Sequence, residues 1–484
     1  MEMQDLLSLS SANGIIEIIS RLKYCKKMLC IPLWEKLKDE YYPQRHRIIV
    51  DKEFWPDKGT KLKPKPVPRI TYGLQKLATR RMTQMAFSIP VERIYYTGED
   101  AEMKEIESAM EKIYQCCRID TVNIKRMRKY FAGCEIATVW YAVEGKEIHT
   151  KYGFPTKYKL RCKTYSPMDG YELLPFFDEF DDMLGFGFKY KKLEHEGGVD
   201  MEVEYFEFYT DKQHFICRLN GSSYEEVKKE NISILKIPLS YIYRHAPIWE
   251  DQTKNNDEIE LALSRESRIL DKNSAPLVQV AGKILGSDKK DDSGKGSRED
   301  DDARKVFNVE NGGSVSYVTW QQSVEAMKFF ISELKKNAEE ELQLPNLSME
   351  NVKGLGAISG EARKTLLTDA HLKVGDEKGD IVEFLDRECN VIKAFLGIMN
   401  PKWKNKINSL EVEHVVTPFI QNDEEAKINK ITKATGGKTV ASRRTGVKML
   451  GWVKDVDEEL NQIQHEEEKE AQNRSIEDVF ISGD

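Results

Sequence analysis

Gly436-Gly437-Lys438-Thr439 is the stretch of this chain that comes nearest to a phosphate cradle. A Walker loop also needs a glycine five residues before the Gly of its Gly-Lys-Thr, following a buried strand, so that backbone amides surround the phosphates. Thr432 holds that position, inside a polar helical run. The glycines read instead as the end of one helix, with Thr439 or Ser442 capping the next. Asp288 to Glu299 has the length of a calcium-binding loop and an acid at each end. It carries Lys290 where an oxygen ligand belongs and Ser293 where the turn glycine belongs, so the match fails. No G-x-S-x-G elbow, H-E-x-x-H helix or GxGxxG turn occurs. His245 and His371 stand alone and read as structural; His149 and His214 lack ligand-spaced companions. The eight cysteines are scattered without a C-x-x-C pair and read as small buried hydrophobes, not zinc ligands. No catalytic residue, metal site or cofactor is expected.

The chain must therefore be read through its elements. Its 484 residues allow about three ordinary domains. With 40% hydrophobic and 32% charged residues it is expected to fold, not to stay disordered. No apolar run approaches the ~18 residues of a membrane span, so no membrane contact is expected. Met1-Glu2-Met3-Gln4-Asp5 lacks the basic and apolar regions of a secretory signal, which implies synthesis in a cytoplasm. A net charge of −7 argues against a tight grip on nucleic acid, though an acidic protein can let a polyanion slide.

Helical periodicity is expected over Gly14–Cys30, Tyr72–Phe87, Asp100–Tyr114 and Ile119–Phe131. Lys58 to Arg69 is Lys/Pro-rich and cannot be helical; it reads as an extended linker, or as an arm touching DNA or a neighbour. From Glu135 to Tyr243 the period is two, which predicts an antiparallel meander over 135–143, 157–165, 185–191, 201–210, 214–219 and 232–243. Asp257–Lys272 returns to helix. Two strands, 277–284 and 314–320, then flank a charged run at 287–305 that reads as a solvated loop. Ser323–Leu342 spaces Val324, Met327, Ile331, Leu334 and Ala338 by threes and fours, a seam for a neighbouring copy or for ordinary core packing. Leu347–Gly360 is a glycine-bearing loop. Glu361–Phe395 is a long helix in which Gly375 and Gly379 predict a bend or break. A strand over 410–420, helices over 423–435 and 442–450, and a frayed acidic tail from His465 complete the chain.

This order of parts resembles the portal proteins of tailed bacteriophages, with those of siphophages infecting Gram-positive hosts as the model. Ile237-Pro238-Leu239 stands where the family leads into its first stem helix, and Glu260 to Ser274 resembles the passage into the clip. Gly354-Leu-Gly-Ala-Ile-Ser-Gly360-Glu-Ala-Arg-Lys-Thr-Leu-Leu367 is similar to the family's tunnel loop and the helix after it. Glu411 to Ala426 resembles the strand leading into the crown, and Gly437 to Asp457 the family's close. A long charged clip insert and glycines in the helix after the loop depart from the pattern.

The resemblance implies an α+β portal fold: a helical and β wing over 1–245 and a first stem helix over 246–273. A small α/β clip over 274–321, a second stem helix over 322–345 and a tunnel loop over 346–360 follow. The wing's long helix and strand take 361–421, and a helical crown with an acidic tail 422–484. It implies stem packing by Ile259, Leu263, Val324, Met327, Ile331 and Leu334. Asn351, Lys353, Gly354, Gly356, Ser359 and Gly360 would face double-stranded DNA. It further implies a homododecameric ring at one capsid vertex of the virion. The implied partners are terminase large subunit, major capsid and scaffolding proteins, and head–tail adaptors. Twelve copies would carry about −84 together, so DNA would be weakly repelled in passing. A nucleotide-binding or DNA-processing enzyme using Gly437-Lys438-Thr439, and a head–tail adaptor ring, are the alternatives.

Overall fold

The computed structural model describes residues 12–60, 63–196, 198–273, 277–281, 314–318, 321–344, 367–419, 424–436, 440–453 and 456–481. They fall into two units, one made of 1–345 with 370–419 and one of 346–369 with 420–484. Both helix and sheet are present, as an α+β chain requires.

The larger unit opens with α1 (Ala12–Met28), α2 (Trp34–Tyr41) and α3 (Arg47–Val50). Residues 58–65 are no simple linker: β1 (Lys58–Thr60) and β2 (Lys63–Lys65) pair as a hairpin. Helix α4 (Leu74–Phe87) leads to β3 (Glu92–Tyr96). Helix α5 (Ala101–Cys117), capped by the Asp100 carboxylate accepting from the Glu102 N–H, is followed by α6 (Ile119–Gly133).

The expected single meander is two sheets. One is a three-stranded sheet ordered β11 (Leu239–Tyr243), β4 (Glu135–His149), β5 (Thr156–Tyr165). The other runs in sequence through β6 (Glu172–Phe177), β7 (Met183–Glu196), β8 (Val199–Tyr209), β9 (Gln213–Asn220) and β10 (Ser223–Asn231). The 3₁₀ turn Pro167–Asp169, closed by Gly170 at φ 86°, separates them. The strand expected over 232–243 starts only at Leu239, because 223–231 takes the edge position beside β9.

Two clusters anchor these layers. In the first, Ile15, Ile18, Ile19 and Leu22 of α1 bury against Leu174, Phe206, Phe208, Phe215 and Tyr224 of the five-stranded sheet. Gly187 allows that approach, since a Cβ there would stand 2.9 Å from the Phe206 ring and 3.1 Å from Leu22. In the second, Ile106, Met110 and Ile113 of α5 meet Trp140 and Leu160 of the small sheet. Cys389, Ile392, Phe395 and Leu396 of α9 (Thr368–Met399) complete it. The chain thus returns late into a core laid down early. It continues to β14 (Glu411–Val415), which pairs antiparallel with β3.

Glu388 fixes the return. Its carboxylate is fully buried and accepts from Arg126 Nη1 at 2.8 Å, Arg126 Nη2 at 2.6 Å and Trp140 Nε1 at 2.8 Å. The Arg126 guanidinium also lies 4.6 Å from the Phe384 ring centre.

Several expectations change. Helix α9 runs unbroken through Gly375 and Gly379, which both face open space while Val374, Ile381 and Phe384 hold the other face. The segment beyond His465 is helical, within α12 (Val456–Ile481), not frayed. Cys30 and Cys116 are exposed; Cys134, Cys217 and Cys389 are buried as expected.

In the smaller unit, α10 (Glu424–Thr435) packs on α11 (Arg443–Leu450), and α11 on α12. Gly446 is buried where a Cβ would lie 2.9 Å from Thr435 and 3.1 Å from Ile431. Ser442 caps α11 by accepting from the Thr445 N–H, as the reading of the glycine break expects.

Removing one partner of a buried, hydrogen-bonded ion pair strands the other charge. Glu388→Ala is therefore expected to cost about 3–5 kcal/mol, read as a lower urea midpoint. The double change Arg126→Met with Glu388→Leu should cost far less. A single variant within about 1 kcal/mol of native would show that the tie does not hold the unit together.

Candidate functional site

Within the larger unit two 21-residue helices, α7 (Thr253–Asn273) and α8 (Gln321–Glu341), pack side by side. At 1.5 Å per residue each is about 31 Å long. Their far ends are joined through β12 (Leu277–Ala281) and β13 (Ser314–Val318), which pair antiparallel with Leu277 opposite Val318. Their near ends meet where Gln252 Nε2 donates to the Glu341 carboxylate. The helices are therefore antiparallel, with a two-stranded tip.

The root of α7 is held by a polar stripe. Asn256, Glu260 and Ser264 recur every four residues, hence on one face, and all three are buried. His46 Nδ1 donates to Glu260 Oε1 at 2.6 Å, and the Tyr72 N–H donates to the same oxygen at 2.7 Å. The Ile70 N–H donates to Ser264 Oγ at 2.9 Å. Segment 46–72 is thereby stitched along the helix. The root of α8 is held by Arg81, 3.3 Å from Glu339, and by Lys335, whose ammonium lies 5.2 Å from the Tyr72 ring centre.

Lys373 of α9 donates to Leu342 O, one residue past α8, at 2.6 Å. Burial, with the Arg244 charge second, pushes its pKa down to about 8. His371 Nε2 donates to Phe419 O at 2.9 Å, and His245 Nδ1 to Leu29 O at 3.1 Å, so both bind backbone.

Of the stem residues expected from sequence, Ile259 and Ile331 are buried within the chain itself, and Leu263, Met327 and Leu334 are half-buried. The Val324 side chain lies outside the described residues, as do Asn351, Lys353, Gly354, Gly356, Ser359 and Gly360. The 287–305 run and the calcium-loop candidate at 288–299 lie outside them too. Apolar side chains left uncovered on the helix pair are Leu270 (54% exposed), Phe329 (67%) and Phe330 (46%). The stripe of Asn256, Glu260 and Ser264 escaped the sequence reading; its signal was polar residues at i, i+4 and i+8 beside an apolar face.

A cleft of about 450 Å³ lies between β11 and α9, lined by Arg244, Glu377, Asp380, Glu383 and Arg387. Arg244 and Glu377 pair there at 2.9 Å. No serine, threonine or cysteine is among its lining residues. Among the described residues no group of three His, Cys, Asp or Glu could hold a metal, and no helix is long and apolar enough to cross a membrane.

The helix pair thus carries a small two-stranded sheet at its tip and is rooted in the mixed helix-and-sheet body of the larger unit. The chain belongs to the phage portal protein family: the family model described as "Phage portal protein, SPP1 Gp6-like" matches residues 31–473. This is a structural, non-enzymatic family of the virion. No curated protein sequence matches. Among solved structures, a chain titled "Neck of empty GTA particle computed with C6 symmetry" is similar at 10% identity and TM-score 0.37. The match covers 85% of this chain and 95% of that one. A chain of the virion of a native gene transfer agent particle is similar at 10% identity and TM-score 0.33, covering 78% and 88% respectively.

Lys373 offers a check on the root. Its folded pKa lies below its unfolded one, so the unfolded chain holds more protons between about pH 8 and the ordinary lysine value of 10.5, and stability rises with pH in that window. The native chain should therefore gain stability relative to Lys373→Met between pH 8 and 10. A difference that stays flat with pH would show that Lys373 titrates as a free lysine.

Proposed function

We propose that this chain forms a ring, probed first as a dodecamer, at one capsid vertex, and that double-stranded DNA enters and leaves the particle through its axis. The family match carries the reading, because it runs through wing, helix pair and C-terminal helices alike. In this reading 1–245 is the wing, 246–273 and 322–345 the stem, 274–321 the clip, and 346–360 the tunnel loop. Residues 361–421 complete the wing and 422–484 form the crown. The clip docks the terminase large subunit and later head–tail adaptors, while the wing meets capsid and scaffolding proteins. Hydrolysis of ATP belongs to terminase, and the portal itself turns over no substrate.

The helix pair supports the stem assignment. A single copy leaves Phe329 and Phe330 in water, and burying a large aromatic side chain is worth about 1.5–3 kcal/mol. Neighbouring stems side by side would cover them. Glycines at 354, 356 and 360 let the proposed tunnel loop change conformation as the duplex passes.

Mass measurement with electron microscopy of the purified chain tests the whole reading. A ring of many copies with an axial hole supports it, and a globular monomer under assembly conditions overturns it. Phe329→Ser with Phe330→Ser should keep the native circular dichroism and lose the ring; intact rings would place the subunit contact elsewhere. Deleting 354–358 should leave rings intact and impair DNA packaging. Normal packaging by that variant would remove the tunnel-loop assignment.

A further inference from the structure

The hairpin β1–β2 concentrates positive charge without neutralising it. Its register sets Lys58 directly opposite Lys65, and Thr60 opposite Lys63. Like charges facing each other across a ladder are destabilising. All three lysines are exposed, and none is ion-paired among the described residues. Lys61 adds a fourth cation to the same eight-residue stretch, which contains no acid.

The root of the hairpin is nevertheless rigid. Trp55 and Val67, one on each side, bury against Ile48 of α3 and Leu261 of α7. Trp55 Nε1 donates to Pro68 O at 3.0 Å. Arg69 Nη2 donates to Asp57 Oδ1 at 2.9 Å and to Trp55 O at 3.1 Å. The Asp57 carboxylate, next to Lys58 in the sequence, is thus already committed to Arg69. A fold that anchors the hairpin while like charges repel across its ladder is built for an anion from outside.

The chemistry of the tip selects the kind of anion. Pro64, Pro66 and Pro68 remove backbone donors, so an added protein strand would find a poor ladder. Across 58–65 the one large apolar residue is Leu62, too little to anchor a protein interface, whose centres also disfavour lysine. Lysines alone, as mobile point charges, suit a repeating phosphate backbone.

We propose that the β1–β2 hairpin is a sequence-independent contact for the phosphate backbone of duplex DNA. The proposal rests on the portal reading for bringing DNA beside the chain, but its test is separate. Fluorescence anisotropy of labelled duplexes of two scrambled sequences, titrated with salt, would compare the native chain with K58Q/K63Q/K65Q and K58R/K63R/K65R. Each lysine on a phosphate contributes roughly 0.9 to the slope of log affinity against log salt. The Gln variant should show a slope shallower by roughly 2–3 and affinity lower by about tenfold or more, alike for both duplexes, while the Arg variant stays native. Its assembly mass should not change. Native slope in the Gln variant, or no binding by the native chain, overturns the proposal. So does loss of assembly on the Gln change, which would assign the hairpin to an acidic surface of another copy. A native chain that forms no ring but shows the lysine-dependent slope sinks the channel reading alone.

Discussion

The larger unit depends on a carboxylate that arrives late. Glu388 lies 262 residues after Arg126, yet the two are bound in a bidentate pair with no water contact, and Trp140 completes the set. An unpaired ion at that depth would cost several kcal/mol, so α9 has one register in which it can seat. With α9 seated, Lys373 and His371 fall where they hold Leu342 and Phe419, and β14 falls beside β3. The helix pair α7 and α8 is then pinned at both of its near ends.

Polarity organises the root as much as apolar packing does. Glu260 is buried, and its Oε1 accepts from His46 and from the Tyr72 backbone, while Ser264 takes Ile70. Hydrogen bonds of this kind are directional, whereas an apolar seam would let the helix rotate or slide; Glu260 Oε2 and Asn256 Oδ1 stay buried without a partner among the described residues. Hydrogen bonds at Glu260 and Ser264 therefore fix the helix against segment 46–72 alongside the apolar contacts of Leu261. The lateral faces of the helix pair remain apolar and uncommitted at Leu270, Phe329 and Phe330.

Much of this was legible in the residues, for identifiable reasons. Strands with one wet face alternate, so β8 was readable from Met201 to Tyr205, and helices with a dry stripe were placed within a few residues. What failed was where local pattern and tertiary role part. Strand β10, Ser-Tyr-Glu-Glu-Val-Lys-Lys-Glu-Asn, is an exposed edge with no apolar period, and β6 carries Pro175. The β3–β14 pair joins segments more than 300 residues apart, which no window can see. Gly375 and Gly379 misled because helix propensity costs only about 1 kcal/mol per glycine, less than the packing of Ile381, Phe384 and Leu385 returns. Of the candidate site, the helix pair and its tip strands were readable; the root stripe was not, since polar residues on a charged helix read as solvated surface.

Charge sets the last constraint. A chain at −7 repels DNA on average, yet the average hides a local sign change at residues 58–65. A uniformly basic ring would hold a polyanion at every phosphate, and each released counterion would raise the barrier to the next step. A uniformly acidic one would leave the duplex free to tilt. In the proposed ring, a nearly charge-balanced chain with a few rigidly mounted lysines would avoid both: contacts would be too few to trap the polymer, and their fixed position would still centre or steady it. In that role the anchoring at Trp55 and Arg69 would matter, because a floppy arm would follow the DNA instead of resisting its displacement.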